Sequence, residues 1–212
     1  MVRSGEVGRV VGWGGRARRR SAGLRWLNGT VRQWWSKTRG LDPAVYASWR
    51  DTLAEVPGRP ARILAWTHAV GLGPEPGVVV LSLAVLSVQT PDSWQHVGWH
   101  EIERGGWNVE TAQLRWQTYA GKRGALALPD PARVPAVFQE RVQASIVFER
   151  FVPATPGSDR GVIINGRRDL AETPSAITWH TTLTRGVTWR TPGIRELADA
   201  TLAEVRHEYD ER

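Results

Sequence analysis

Polar and apolar residues alternate most cleanly from Leu114 to Tyr119, where Leu114, Trp116 and Thr118 share one face and Arg115, Gln117 and Tyr119 the other. A period of two marks a half-buried strand. This strand ends a stretch, Trp94 to Tyr119, that holds four of the twelve tryptophans (Trp94, Trp99, Trp107 and Trp116). Strands this wide and aromatic need neighbours on both sides, so the stretch predicts the centre of an antiparallel meander. The short connections Glu110-Thr111-Ala112 and Gly121 to Gly124 enforce antiparallel pairing of what they join.

On either side of that centre the pattern changes. Ile63 to Val70 predicts a strand, and the apolar run Gly77 to Val88 predicts two short strands turning near Ser82. That run is well short of the roughly 20 residues a membrane-spanning helix needs. GLGPEPG (Gly71 to Gly77) is not a dinucleotide-binding turn, because Pro74 and Pro76 interrupt it and no helix follows to face a phosphate. Three helices are expected. Asp42-Pro43 caps and opens the first, with Tyr46, Trp49, Leu53 and Val56 on one stripe. Asp130-Pro131 opens the second, which absorbs Pro135 in its first turn and aligns Val134, Val137, Phe138, Val142 and Ile146. Thr191-Pro192 caps the last, where Ile194, Ala198, Leu202, Val205 and Tyr209 face a core. Between the second and third, Ile146 to Val152, Gly161 to Arg168 and Ile177 to Thr184 read as strands. In the last of these Trp179 points inwards and His180 towards solvent.

Charge divides the 212-residue chain in two. Residues 1–40 hold ten basic side chains and one acid, a charge of +9, leaving 18 basic against 20 acidic groups and −2 for the rest of a chain whose total is +7. The folded body therefore has no general basis for nucleic-acid affinity, and an electrostatic partner would have to be met by residues 1–40. There Arg16, Arg18, Arg19 and Arg20 stand beside Trp13 and Trp26 without helical or strand period. Three readings stay open for this tract. It is a solvated, disordered tail, or the translation of GC-rich DNA upstream of a start at Val31 or later; or it meets an acidic membrane surface; or it binds nucleic acid by phosphate contacts and stacking. With no cysteine, disulfides, thiolate metal sites and cysteine nucleophiles are excluded, and a cytoplasmic location, with peripheral membrane association as its alternative, is the expectation.

Seven short antiparallel strands closed by an amphipathic helix, with WHEIERGGW followed by a strand, a turn, ALALPDP and a helix, resemble the pleckstrin-homology-like barrel of bacterial proteins. ERVQASIVFERFVP, followed by ITWHTTL and a terminal helix, is similar to a set of uncharacterised actinobacterial proteins. The resemblance implies an α+β fold: a basic tail (1–40), an N-terminal helix (41–56), a barrel-like module (61–146) and a β-β-β-α extension packed on it (147–212). Where such barrels place a basic, polar turn between the second and third strands this chain has Leu81-Ser82-Leu83-Ala84, so lipid binding is not carried over.

Candidate chemistry is sparse. His96 and His100 with Glu101 resemble metal ligands, but on one strand the histidines lie about 13 Å apart unless a bulge at Gly98 joins them. Glu101 and Glu103 are two apart and would share a strand face as a carboxylate pair, and Trp94 with Trp99 would form a platform if exposed. No glycine-elbow serine or Ser/His/Asp grouping is placed, so no catalytic residue and no cofactor is assigned. The leading expectation is a non-enzymatic interaction or scaffolding module that binds a protein partner through an exposed sheet edge or the face beside the last helix. Its alternatives are a small metal-dependent hydrolase using His96, His100 and Glu101, and membrane or nucleic-acid association through Arg16, Arg18, Arg19, Arg20 and Trp26.

Overall fold

The computed structural model describes residues 40–54, 62–71, 77–171 and 176–210. Helix α1 (Pro43–Ala54) starts where the sequence places it: Asp42 Oδ1 accepts the amides of Ala44 at 2.7 Å and Val45 at 3.4 Å, and Pro43 fills the position where no N–H is needed. It lies on a four-stranded antiparallel sheet of β1 (Ile63–Ala69), β2 (Gly77–Ser82), β3 (Val85–Gln89) and β4 (Trp94–Gly98), paired in chain order. Both faces of this sheet are covered, which explains the predominantly apolar run of β2 and β3. Val78, Val80 and Val85 meet Trp49 and Leu53 of α1, while Val79, Leu81, Leu86 and Val88 enter the main core. A strand dry on both sides keeps a polar side chain only where it is bonded, as Ser87 of β3 is by the Trp49 indole N–H at 3.0 Å. Ser82 makes the turn without exposing itself, its hydroxyl accepting the amides of Ala84 and Val85.

A single 3₁₀ turn, Trp99–Glu101, leads to a second antiparallel sheet of β5 (Ile102–Asn108), β6 (Gln113–Thr118) and β7 (Arg123–Ala127). Among the described residues the two sheets touch through one bridge, Val70 N–H to Ala127 O at 3.0 Å, and the outer strands β4 and β5 are not paired. The expected closed barrel is therefore corrected to two sheets joined at one edge. Closure needs a continuous ladder, but after Gly98 the chain leaves the strand for the 3₁₀ turn, with the Gly98 amide held by the Glu101 carboxylate at 3.0 Å. Helix α2 (Val134–Ser145) covers the core between the sheets, burying Val134, Val137 and Phe138 against Trp99 and Ile102. Phe138 meets the fully buried Trp99 edge to face, with ring centroids 5.9 Å apart. The helix begins later than Asp130-Pro131 predicts, because Ala132 adopts φ +46° and a left-handed residue cannot continue a right-handed turn.

A third sheet of β8 (Ile146–Pro153), β9 (Gly161–Arg168) and β10 (Ile177–Leu183) has β9 at its centre, and helix α3 (Ile194–Asp210) covers one face through Ile194, Ala198 and Val205. Thr191-Pro192 precedes α3 rather than capping it: Gly193 at φ +75° intervenes, and the Thr191 hydroxyl accepts the Thr188 amide instead. Arg150 ties the other end of α3 to β8, reaching Glu204 at 3.3 Å and Glu208 at 2.6 Å. The opposite face of this sheet carries Asn165, Arg167 and His180 and looks towards the body. Among the described residues no helix is long and apolar enough to cross a membrane.

Candidate functional site

β5 is the outermost strand of its sheet, and among the described residues its second edge pairs with no strand. Along such an edge, alternate residues direct N–H and C=O groups away from the sheet, where another extended chain can take them up. The sequence leaves this edge unusually bare at Gly105 and Gly106. A Cβ on Gly105 would stand 2.7 Å from Cζ of Phe138 and 2.8 Å from the Arg115 carbonyl oxygen, so glycine is what lets α2 approach the strand. A Cβ on Gly106 would meet nothing within 4 Å. Between the strand and the helix lies a cavity of about 420 Å³, whose apolar lining includes Trp107, Phe138, Val142 and Ile146. Glu103 stands on its rim, with one carboxylate oxygen accepting the Gln117 side-chain amide at 3.1 Å, while Arg104 donates to the Gln117 carbonyl at 2.8 Å.

The same cavity is bordered by Arg167, which is only 2% exposed. Its Nε donates to the Tyr119 hydroxyl at 3.1 Å, and its Nη1 donates to Val142 O at 3.1 Å and to Ser145 Oγ at 2.9 Å. Both acceptors on α2 belong to its last turn, where unpaired carbonyls concentrate partial negative charge and stabilise a cation. The Tyr119 ring adds a cation–π contact at 5.7 Å. Among the described residues no carboxylate pairs with this guanidinium, and its Nη2 donates to no group.

Three titratable groups near the arginine, Tyr119, Glu149 and His180, are biased by burial. Tyr119 and His180 stack with centroids 3.6 Å apart and planes within 2°. His180 is pushed down to about 4, first by burial and then by the positive charges of Arg167 and His100. Burial raises the pKa of Tyr119 and of Glu149, in each case against the opposing pull of Arg167. Glu149, Asn165 and His180 form one row across β8, β9 and β10. His180 is therefore half-covered by Tyr119, and the expectation that it faces solvent is corrected.

The residues singled out from sequence are dispersed. His96 turns to α1, with Nδ1 2.9 Å from Ser87 Oγ and Nε2 3.1 Å from Thr52 Oγ1. His100 sits in the 3₁₀ turn with a buried Nδ1 3.6 Å from Asp169 Oδ1, longer than a hydrogen bond. Glu101 closes that turn on Gly98, and Glu103 lies in the irregular start of β5, so neither a histidine pair nor a carboxylate pair is assembled. Among the described residues no three His, Asp or Glu side chains converge as metal ligands. Trp94 and Trp99, read as a platform if exposed, are 7% and 0% exposed, with indole N–H groups bound to Ser48 Oγ and Ser82 O. Arg16, Arg18, Arg19, Arg20 and Trp26 lie outside the described residues.

Sequence reasoning passed over Arg167 and Tyr119. The one available signal was the position of Arg167 in the strand GVIINGRR, on the face of Ile163 and Asn165. No protein-family model, no curated protein and no solved structure matches this chain.

Proposed function

We propose that this protein is a non-enzymatic binding module of the pleckstrin-homology-like kind, which takes an extended segment of a partner protein onto the β5 edge. The observation that carries the reading is the unpaired edge of β5 beside an apolar groove formed with α2. Added strands gain main-chain hydrogen bonds from the edge and specificity from pockets that receive alternate side chains. The edge supplies the first and the cavity lined by Trp107, Phe138 and Val142 supplies the second. Four and three antiparallel strands followed by a helix over their shared core is the element order this kind of module uses, and α2 forms one wall of the groove.

The test is a selection of binding segments from a displayed library of random peptides, followed by hydrogen exchange on the complexes. Bound peptides should protect the amides of Ile102 to Asn108, and Val142→Arg should weaken them at least tenfold. Peptides that protect other elements and leave β5 exchanging as before would overturn the reading.

A further inference from the structure

From the geometry around the groove we infer that Arg167 is an oxyanion-binding donor at one border of the cavity, placed to receive a carboxylate carried by the segment bound along β5. The inference rests on the β5 reading for its occupant. Its own evidence is separate. Arg167 is 2% exposed, yet among the described residues its Nη2 is not one of the sealed, unpartnered side-chain atoms, so this donor is open to solvent. Here Nε and Nη1 are spent on Tyr119, Val142 and Ser145, which hold the plane fixed, while Nη2 is unspent on a group that lines a cavity. Three fixed hydrogen bonds pre-organise the remaining donor, so a ligand loses little freedom of the arginine on binding.

The nearby carboxylates do not fill this role. Glu103 is turned to Gln117 of β6, and Glu149 makes no ion pair with the arginine. His100 and His180, the neighbouring imidazoles, bring no negative charge, and Asp169 faces His100. Arg167 thus has no ion pair among the described residues, although Glu149 lies close enough to feel its charge. A free inorganic ion would use that charge and leave Trp107, Phe138 and Val142 uncovered, whereas a carboxylate borne by an apolar chain uses both.

Two measurements test this on the full chain. In the first, acetate and inorganic phosphate are titrated while the Arg167 Nε–H resonance is followed by NMR. A saturable shift of that resonance is expected, and it should weaken about tenfold in Gln143→Glu, an exposed substitution that adds a carboxylate to the cavity lining without touching the arginine's partners. No saturable shift, or a shift unchanged in the variant, overturns the inference. In the second, a capped pentapeptide of alternating valine and threonine ending in aspartate is compared with its asparagine counterpart. The aspartate peptide should bind about tenfold tighter, the factor expected of one charge-assisted hydrogen bond. Equal binding overturns the inference and leaves the β5 reading standing. Binding of neither peptide, with the acetate response intact, removes the β5 reading and with it the peptide-borne carboxylate.

Discussion

Removing one oxygen atom tests the arrangement around Arg167 directly. Tyr119→Phe keeps the ring, its stack on His180 and its contact with the guanidinium face, and deletes only the hydroxyl that accepts from Arg167 Nε at 3.1 Å. Hydrogen bonds to charged groups contribute about 1.5–3 kcal/mol, and leaving the charged partner buried and unsatisfied places the cost in that range. Tyr119 is half-buried, so water reaches part of the site and the lower end applies, about 1.5 kcal/mol. Arg167→Met costs more, about 2–3 kcal/mol, because it also strips Ser145 Oγ of its donor and Val142 O of one of two. In the double variant the Tyr119→Phe cost should nearly vanish, since no donor remains to be orphaned, giving a coupling of about 1–1.5 kcal/mol. Urea unfolding at pH 7 followed by tryptophan emission, with the slope checked for constancy across the cycle, provides the four stabilities. A Tyr119→Phe protein within 0.5 kcal/mol of the parent, or strictly additive costs, would refute the assignment of Tyr119 as the acceptor that holds the arginine in place.

Three further outcomes follow from the same geometry. His180 has a folded pKa of about 4 against an ordinary 6.5, so the unfolded chain takes up its proton first and stability is lost as pH falls through that window. Discounted for its partial exposure the loss is about 1–2 kcal/mol, and His180→Phe, which keeps the stack, should flatten the stability profile between pH 6.5 and 4 by that amount. Glu149, raised by burial, acts with the opposite sign and is common to both proteins, so an unchanged profile would refute the assignment to His180. Gly105→Ala should cost about 2 kcal/mol by overpacking, because one of the two atoms in its way is a backbone oxygen, and a neutral effect in thermal unfolding would show that α2 does not approach β5 this closely. Trp49→Phe removes the indole N–H that donates to the buried Ser87 hydroxyl at 3.0 Å and should cost about 1–3 kcal/mol, less than additively with Ser87→Ala; additive costs would separate the two.

Local chemistry alone carried much of the architecture. Asp42-Pro43 announces α1 because a cap and a fixed φ act within one turn, and Ser82 marks the β2–β3 turn because a hydroxyl can bond the amides two and three residues on. The period of two at Leu114 to Thr118 and at Ile177 to Leu183 reports strand geometry, which depends on neighbours in the chain. What no such pattern carries is which faces meet. The histidines four apart at His96 and His100 looked like partners, yet the strand end at Gly98 sends one to α1 and the other towards Asp169. Arg167 and Tyr119 lie 48 residues apart and are joined only because α2, the third sheet and the end of β6 converge on one point. The same holds for the open barrel and for the bare edge of β5: side-chain period says that a strand exists and which face is buried, whereas pairing is decided by the backbone groups that the rest of the fold leaves free.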